Sequence, residues 1–519
     1  MRRHLAAGKP RLPLHGPVMT LTVLHYHFRP GGVRRVIECG LPPLARAMDC
    51  SGVTLLSGEA PPSDWREMME RALHPCPVRW IAHPALGYWS EQKEPAPVAA
   101  EAICGVLREA IGKGTLWAHN LSVGRNLLLA REVTALPDSV PVWLHHHDWW
   151  WDGRWERWPE FSAQGFESLI HAVRVTLPAG DHVRHLCVNA TDARRLSHWL
   201  NEEVAYVPNI LAPPEPDPER IAIAREFLRH TTGAPHCWLY PCRALRRKNI
   251  AEALLVQRCL APEAITVTTG GPSSAAEEHY FDRLAASARA QRWPLFPAVA
   301  STAGTPDVLS LTAAAEAVIV TSLKEGFGLP YGEAALAGRP CLARIPGGLE
   351  ETLAPAGIPF ARRWSALPVP RDGFDSRAER ERLQCGRERL APLLPPELLP
   401  LLSECSAESA GASSVDFGSL TLSAQLEVLT ALKPGSSLPG LLSVEMSPLQ
   451  AAPWTAGEWT TEKWLSLMAP RGKTRSPTTR RADWLEQRVA FITPQLQQWL
   501  STPLLWPDED AAATPPRAP

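Results

Sequence analysis

The sequence predicts an α/β fold with two doubly wound domains, each a parallel sheet with helices on both faces. Short apolar runs alternate with helical segments along residues 19–344, a pattern typical of parallel sheets. Glycines stand where strands turn into helices, at Gly31, Gly270 and Gly326. The chain has 519 residues, enough for two sizeable cores, and a proline-rich stretch at residues 211–218 divides it.

Composition narrows the functional classes. Lysine and arginine number 53 against 54 aspartates and glutamates, so no global charge points to nucleic acid or an anionic surface. Eleven cysteines are scattered without a CxxC pair, which favours buried thiols in a reducing compartment. No apolar run is long enough to cross a bilayer, and residues 1–17 are basic without the apolar core of a signal peptide. We expect a cytoplasmic protein with a flexible leader and no nucleic-acid partner.

The first domain is predicted to span residues 18–210. Its strands are expected at the apolar segments 19–26, 53–56, 78–82, 115–118, 140–146, 185–189 and 204–208. Its helices are expected at residues 33–48, 97–111 and 123–136. A further helix follows residue 189, and Thr191 suits its N-cap.

The second domain is predicted to span residues 219–362, after a linker at 211–218 that holds four prolines in eight residues. Its strands are expected at 236–241, 265–269, 295–299, 317–320 and 341–344. Its helices are expected at 219–230, 250–259 and 275–292. Residues 363–480 are predicted to be a divergent proline-rich insertion, and residues 501–519 a disordered tail.

The stretch 317–338 organises the second domain. A strand ends before Ser322, a glycine-bearing turn follows, and a helix opens at Leu329. Exposed amides at a helix N-terminus favour an anion. Glu325 lies in the turn and Glu333 lies in the helix, so both carboxylates can accept hydrogen bonds from sugar hydroxyls around a phosphate. This combination points to a nucleotide-sugar site.

Glu325 and Glu333, separated by seven residues that include Gly-Phe-Gly-Leu-Pro, resemble the signature of retaining glycosyltransferases of family 4 (group 1), which have the GT-B fold. The resemblance implies two Rossmann-like domains facing a cleft. It also implies that Glu325 and the backbone at Phe327, Gly328 and Leu329 hold the donor sugar. The resemblance further implies that Glu333 binds the ribose hydroxyls of the donor.

Other positions extend this resemblance. Gly31 and Gly32 match the family's glycine loop, which approaches the donor diphosphate, and His147 matches a histidine near the C6 hydroxyl of the donor sugar. Arg243 and Lys248 match an Arg…Lys pair that neutralises the diphosphate as its bond to the sugar breaks. Physically, cations suit the place where negative charge grows on a leaving group.

The resemblance covers about residues 19–360. Within it, Val207-Pro208-Asn209 is similar to the segment that closes the first domain of the family, and residues 347–351 are similar to a segment that borders the nucleotide. Family members end in a helix that crosses back onto the first domain, and residues 481–500 are expected to form it. Pro494 must then kink or end that helix.

Residues 145–158 combine three consecutive histidines with a run of tryptophans. Adjacent strand residues point to opposite faces, so three in a row rarely chelate one ion, and we expect no metal here. The tryptophans either stack on a sugar acceptor or anchor a loop by burial. His119 and Asn120, at an earlier strand end, are assigned a capping or loop role. Asp508-Glu-Asp510 has a DxD form but lies in the tail and is treated as chance.

These observations predict a hexosyltransferase that moves a sugar, with retention of the anomeric configuration, from a nucleotide diphosphate to a hydroxyl on a small-molecule or glycan acceptor. Retention follows from the resemblance alone. No cofactor or metal is expected, because Arg243 and Lys248 supply positive charge. Two alternatives remain: a GT-B sugar phosphorylase with phosphate as acceptor, and a catalytically silent GT-B scaffold that only binds sugar nucleotides or a partner.

Overall fold

The computed structural model describes residues 19–211, 217–404, 413–436, 460–468, 492 and 496–506. These residues divide into two compact units. The first comprises residues 19–150, 159–211 and 460–468, and the second comprises residues 151–158, 217–404, 413–436, 492 and 496–506. The two units are described separately below.

The first unit is built on a seven-stranded parallel sheet. Its strands are β1 (Thr20–Leu24), β2 (Gly52–Ser57), β3 (Val78–Ala82), β4 (Thr115–His119), β5 (Val142–His146), β6 (Val183–Cys187) and β7 (Ala205–Tyr206). Their order is β3-β2-β1-β4-β5-β6-β7, so the chain winds in one direction from β1 and then returns to add β4 on the other side. This reversal is the mark of a doubly wound sheet.

Helices connect these strands, as parallel pairing requires. They are α1 (Gly32–Ala47), α2 (Ser63–Leu73), α3 (Ala96–Ile111), α4 (Leu127–Thr134), α5 (Trp158–Ala163), α6 (Leu169–Thr176) and α7 (Ala190–Leu200). The core includes Leu21 and Val23 from β1 and Ile37 and Leu41 from α1, all of them fully buried. Burial of this apolar surface is the main force that holds the helices on the sheet.

The second unit contains a six-stranded parallel sheet in the order β10-β9-β8-β11-β12-β13. Its strands are β8 (Cys237–Tyr240), β9 (Ile265–Thr268), β10 (Leu295–Phe296), β11 (Ala317–Val320), β12 (Cys341–Arg344) and β13 (Phe360–Trp364). Its helices are α8 (Pro218–Thr232), α9 (Ile250–Leu260), α10 (Ala275–Ala290), α11 (Val308–Ala314), α12 (Leu329–Leu336) and α13 (Glu350–Ala356). This sheet is also doubly wound, with its reversal between β8 and β11.

A further segment packs on the second unit. It contains an antiparallel pair and three helices: β14 (Pro368–Pro370), α14 (Ser376–Leu390), α15 (Leu399–Glu404), β15 (Ser414–Asp416) and α16 (Leu422–Ala431). The Arg258 guanidinium on α9 donates to the carbonyls of Leu429 and Leu432 at the end of α16, at 2.5 and 2.9 Å. Arg344 on β12 bridges Glu252 of α9 and Asp416 of β15. These contacts join the segment to the sheet domain.

Far along the sequence, α17 (Thr461–Met468) belongs to the first unit. Its Trp464 is fully buried in the core of that unit, against Gly40 of α1 and Trp117 of β4. The guanidinium of Arg184 on β6 donates to the carbonyls of Leu467 and Met468, at 2.9 and 2.8 Å. These two carbonyls at the C-terminal end of α17 thereby gain hydrogen-bond donors.

The predicted fold class is confirmed, because both units are Rossmann-like α/β domains, the pair of domains that a GT-B chain contains. The strands predicted at 317–320 and 341–344 match β11 and β12 residue for residue. Helix α2 was not predicted. The predicted N-cap Thr191 is wrong, because the Asn189 side chain accepts from the Asp192 amide at 3.1 Å and Thr191 lies inside the first turn.

The structure describes only part of the two C-terminal segments that were predicted, the helix at 481–500 and the tail at 501–519. Most of the predicted helix 481–500 and most of the predicted tail 501–519 lie outside the described residues, as does the leader 1–17. Residues 496–500 are helical and belong to the second unit. Within the part of the chain that the structure describes, no helix is both long and apolar enough to span a bilayer.

Candidate functional site

The strand reversal in the second unit brings two loops together. Because β8 and β11 are neighbours, the loops that follow them leave the same carboxyl edge of the sheet, which is where α/β domains bind ligands. The Tyr240 hydroxyl donates to the Lys248 carbonyl at 2.9 Å and lies 2.8 Å from the Ser322 hydroxyl. The Leu323 amide donates to the Arg247 carbonyl at 2.8 Å. The two loops therefore form one hydrogen-bonded surface.

Lys248 and Glu325 meet on this surface. The Lys248 ammonium contacts one Glu325 carboxylate oxygen directly, and each side chain is only 8% exposed. The Ser322 hydroxyl donates to the same oxygen at 2.6 Å, while a guanidinium nitrogen of Arg247 lies 3.5 Å from the other oxygen. Two cations thus face one carboxylate, and the excess positive charge favours an anionic ligand.

Burial and pairing oppose each other in this ion pair. Burial lowers the pKa of Lys248, and the Glu325 carboxylate offsets part of this effect. Burial disfavours ionisation of Glu325 as well, but the charges of Lys248 and Arg247 outweigh it and lower the pKa of the Glu325 carboxyl. Glu325 is therefore ionised at neutral pH and acts only as a hydrogen-bond acceptor.

Arg243 stands at the start of the same loop as Lys248, next to the end of β9. Arg243 is exposed, and its backbone lies close to Gly270. The Gly270 amide donates to the carbonyl of Cys242, the residue before Arg243, at 2.8 Å. A Cβ at Gly270 would lie 3.2 and 3.3 Å from the Cγ and Cα of Arg243. Glycine at 270 therefore allows the close approach of these two loops, as its place at a predicted strand-to-helix turn suggested.

The loop after β11 leads into α12 through Gly328. This residue has φ +95°, and a Cβ there would lie 2.5 Å from the ring of Tyr331, so both conformation and space require glycine. Phe327 beside it is buried, and Leu329 begins α12 as predicted. Glu333 lies one turn further along α12 and is half-buried. The predicted strand, glycine turn and helix thus exist as expected.

A cavity of about 310 Å³ adjoins this edge of the second unit. The loops after β11 and β12 contribute Leu323 and Pro346 to its wall, and Arg344 and Asp416 supply charged groups. Three residues near the C-terminus complete one side of the cavity: Gln498, Ser501 and Thr502. The cavity is therefore polar on several sides and lies where the fold places ligands.

The first unit holds the other predicted site residues. Gly31 is the N-cap of α1 and Gly32 its first residue. The backbone at Gly31 is extended, which any residue can adopt, and a Cβ at Gly32 would meet no described atom within 4 Å. The fold of the described residues therefore does not itself demand glycine at these two positions. Their common property is an exposed backbone at the N-terminus of a sixteen-residue helix.

His147 follows β5 at the carboxyl edge of the first sheet. Its amide and the Asp148 amide both face the Asn120 side-chain oxygen, at 3.3 and 2.9 Å, so Asn120 holds this turn as a cap. Burial, and then the neighbouring His145, keep the pKa of His147 well below its ordinary value. The His147 ring is therefore neutral at pH 7 and can hydrogen-bond to a hydroxyl without carrying charge.

The tryptophans of residues 143–158 are buried. Each of them is between 0 and 8% exposed: Trp143, Trp149, Trp150, Trp151, Trp155 and Trp158. Trp149 donates from its indole to Asp192 at 3.0 Å, and Trp150 donates to the Thr176 hydroxyl at 3.3 Å. Of the two interpretations of this run, burial as an anchor is the one that fits, because a stacking platform requires an exposed ring face.

Sequence reasoning missed part of this site. Tyr240 and Ser322 join the loops, yet a tyrosine that ends one strand and a serine that follows another carry no signal of contact until the strands are known to be neighbours. Arg247 was not among the predicted site residues, yet it faces Glu325 and donates to the Lys324 carbonyl at 2.9 Å. Arg246 pairs with Glu277 instead.

The chain matches no known protein-family model. It is 23% identical over 285 residues to mannosylglucosyl-3-phosphoglycerate synthase from Petrotoga mobilis, a match that covers 51% of this chain and 52% of the relative. The chain thus spans about half the length of the curated relative it matches.

Similar solved structures have low sequence identity to this chain. HepE of Anabaena, solved in complex with UDP-glucose, is 16% identical, covers 64% of this chain and 82% of its own, and has a TM-score of 0.45. The catalytic domain of starch synthase IV from Arabidopsis thaliana, bound to ADP and acarbose, is 13% identical, covers 65% of this chain and 84% of its own, and has a TM-score of 0.46.

Proposed function

We propose that this protein is a retaining glycosyltransferase that moves a sugar from a nucleotide diphosphate to a hydroxyl group. The observation that carries the proposal is the contact of Lys248 with Glu325 at the strand reversal of the second unit. A cation and a carboxylate side by side suit a ligand with phosphate next to sugar hydroxyls. The relative from Petrotoga mobilis, named as a synthase of a glycosylated phosphoglycerate, supports transfer chemistry.

In the proposed reaction the bond between the anomeric carbon and the diphosphate oxygen breaks, and its electron pair stays on the diphosphate. The acceptor oxygen bonds to the anomeric carbon on the same face, and its proton passes to the departing phosphate oxygen. Arg243 and Lys248 stabilise the negative charge that develops there. This route requires neither a protein nucleophile nor a metal ion.

The remaining residues position the donor in this proposal. Glu325 and the backbone at Phe327 and Gly328 hold sugar hydroxyls, and Leu329 continues this wall. Glu333 accepts hydrogen bonds from the ribose hydroxyls. Because Lys248 already contacts Glu325, a bound diphosphate shares the Lys248 ammonium with that carboxylate rather than meeting an isolated charge.

In the first unit, Gly31 and Gly32 give the diphosphate access to backbone amides, and neutral His147 orients a hydroxyl of the donor sugar. The absence of a side chain at either glycine keeps the N-terminus of α1 open to a close ligand. The acceptor is a hydroxyl-bearing small molecule or glycan. We also propose a cytoplasmic location, which the scattered cysteines without a CxxC pair favour.

Thermal shift with UDP-, GDP- and ADP-sugars tests the donor assignment, because a ligand that binds only the folded state raises its stability. We expect one sugar nucleotide to protect the wild type and Arg243→Ala to bind it about tenfold to 100-fold more weakly, as loss of a charge-assisted hydrogen bond implies. Arg229→Ala, an exposed arginine on α8, is the matched control and should keep the full shift.

Product analysis then separates the alternatives. The proposal is supported if the sugar is transferred to a hydroxyl and NMR of the product shows that the anomeric configuration is retained. Formation of a sugar phosphate with inorganic phosphate as acceptor would instead identify a phosphorylase. Protection by a sugar nucleotide without turnover on any hydroxyl acceptor would identify a binding scaffold, and no protection by any sugar nucleotide would refute the donor assignment.

A further inference from the structure

Three histidines converge at the carboxyl edge of the first sheet. His119 ends β4, His145 lies directly opposite it in β5, and His147 lies two residues further along. One ring nitrogen from each of these residues lies within 4.8 Å of the others. We call His119, His145 and His147 the histidine cluster.

Strand geometry explains which histidines converge. Cross-strand partners in register share a face of the sheet, and residues two apart in an extended segment share it as well. His146 points to the other face, where its ring nitrogen lies 2.9 Å from a His185 nitrogen and its ring stacks on Trp149. The three consecutive histidines are therefore not one ligand set. The neighbouring strand supplies the third ring of the cluster.

The histidine cluster contains buried nitrogen atoms without hydrogen-bond partners. His145 is 1% exposed and His119 is 0% exposed. Among the described residues, neither ring nitrogen of His145 makes a hydrogen bond, and the same holds for Nε2 of His119. The Val207 carbonyl faces the His145 ring outside hydrogen-bond geometry. Buried polar atoms are normally satisfied, so these nitrogens call for a partner of another kind.

The one hydrogen bond inside the cluster joins Nδ1 of His119 and Nε2 of His147, at 3.1 Å. It uses a single donor, so at least one further lone pair remains on these rings. His25 lies beside the cluster and directs its Nδ1 to the His119 backbone carbonyl at 3.2 Å, which leaves the His119 ring available. Converging lone pairs on neutral imidazoles are what a transition-metal ion takes as ligands.

We infer that the histidine cluster binds one divalent transition-metal ion, with zinc as the leading candidate. Three imidazole ligands suit zinc, nickel or copper, whereas magnesium and calcium prefer oxygen. A Zn–N distance of about 2.0–2.1 Å requires ring nitrogens closer than 4.8 Å, so the rings must rotate towards one another. Neither nitrogen of His145 makes a hydrogen bond of full geometry among the described residues. The adjustment therefore gives up the hydrogen bond between His119 and His147 and the weaker interaction of His145 with the Val207 carbonyl.

Three protein ligands leave a fourth position for water or a substrate oxygen, the pattern of an open zinc site. This inference does not rest on the proposed glycosyl transfer, because His119 and His145 have no part in it. His147 is common to both proposals. For that reason His145, rather than His147, is the residue whose substitution tests the metal site.

The test uses the untagged full-length chain, stripped with a chelator and titrated with Zn²⁺ or Co²⁺. We expect one equivalent of Zn²⁺ to remain after gel filtration, measured by elemental mass spectrometry, and the Co²⁺ form to show visible absorption typical of four-coordinate imidazole binding. Outer-sphere changes at metal sites cost about 10-fold to 100-fold in affinity, so loss of a ligand in His145→Gln should cost at least about 100-fold.

His146→Gln is the matched control, since this buried histidine lies in the same strand on the opposite face, and it should keep the metal. Circular dichroism of the stripped proteins reports folding, and His119→Gln replaces His145→Gln if the latter does not fold. Tight binding that both cluster variants retain would overturn the inference. A wild type that holds no Zn²⁺ and shows no Co²⁺ absorption would overturn it as well.

Discussion

In our proposal, the buried ion pair of Lys248 and Glu325 serves ligand binding rather than the stability of the fold. Both side chains are withdrawn from water, and desolvation consumes much of their attraction. Ser322 and Arg247 complete the hydrogen bonding and charge around the carboxylate. An apolar pair of the same size would fill this space at similar stability, so the charges are best explained by a ligand that uses them.

The two partners of this ion pair should be coupled in their contributions to the stability of the fold. Lys248→Met leaves the Glu325 carboxylate buried without its nearest cation, and we expect a loss of about 3 kcal/mol in the free energy of unfolding. Lys248→Met combined with Glu325→Leu should lose less than the sum of the single changes, with a coupling energy of about 1–3 kcal/mol. Urea unfolding of the four proteins measures this cycle, and strict additivity would contradict it.

Burial should also make some cysteine thiols much less reactive than others. Burial raises the pKa of Cys242, next to Lys248, to about 12, and it raises the pKa of Cys341 in β12 to about 12 as well. Both thiols therefore stay protonated at pH 8, and the thiolate is the reactive form. Cys385 on α14 is exposed.

Alkylation with iodoacetamide at pH 8, followed by peptide mass spectrometry, should label Cys385 well before Cys242 and Cys341. Labelling in denaturant should make the three rates similar, which controls for local sequence. Equal rates in the native protein would mean that the two buried thiols reach solvent.

At the scale of elements, the turn from β11 into α12 depends on one glycine. Gly328 combines a left-handed backbone with a side-chain direction that points into Tyr331. Gly338, after the end of α12, also has a positive φ (+62°), but a Cβ there would meet nothing within 4 Å among the described atoms. The two glycines therefore separate backbone strain from steric overlap.

Gly328→Ala should destabilise the second unit by about 1–3 kcal/mol more than Gly338→Ala, because overpacking adds to the strain that both variants share. Thermal unfolding of the two variants beside the wild type measures the difference. Gly328→Ala should also weaken sugar-nucleotide protection, since Phe327 and Leu329 move with this turn. Equal melting temperatures for the two variants would show that the Tyr331 ring moves aside freely.

Some helices and strands could be predicted from local sequence patterns, and others could not. Strand β11 is a short apolar run between polar residues, and β12 is a short run that follows Pro340 and ends before Ile345-Pro346. Local sequence patterns therefore located both strands to the residue. Helix α2 was not predicted, because its buried face consists only of Trp65, Met69 and Leu73 and the residues between them are mostly charged. At the start of α7, Asn189 and Thr191 are both good caps, and only the hydrogen bond to Asp192 distinguishes them.

At the scale of the whole molecule, the described part of the first unit comes from three separate stretches of the chain. Residues 19–150 and 159–211 build its sheet, and α17 returns about 250 residues later to complete the core. Trp464 fills the space over Gly40, where a Cβ would lie 3.0 Å from its ring. Arg184 fixes the end of α17 by two hydrogen bonds. The first unit therefore depends on a distant segment for part of its core.

Trp464→Ala should destabilise the first unit by about 3–5 kcal/mol, the usual cost of removing a buried tryptophan from a core. Glu462→Ala, an exposed position in the same helix, should cost less than about 1 kcal/mol. Hydrogen exchange can localise the effect, and we expect faster exchange in α1 and β4 of the tryptophan variant. Unchanged exchange there would mean that α17 contributes little to this core.

By itself, the sequence determined the class of the two domains, the positions of most strands and the residue types of the proposed donor site, because periodicity, turn chemistry and charge are local properties. Only the tertiary structure decided which loops meet. The neighbouring order of β8 and β11 brings Lys248 to Glu325, and the register of β4 with β5 brings His119 to His145. Strand order and register depend on packing between distant segments, which no local pattern records.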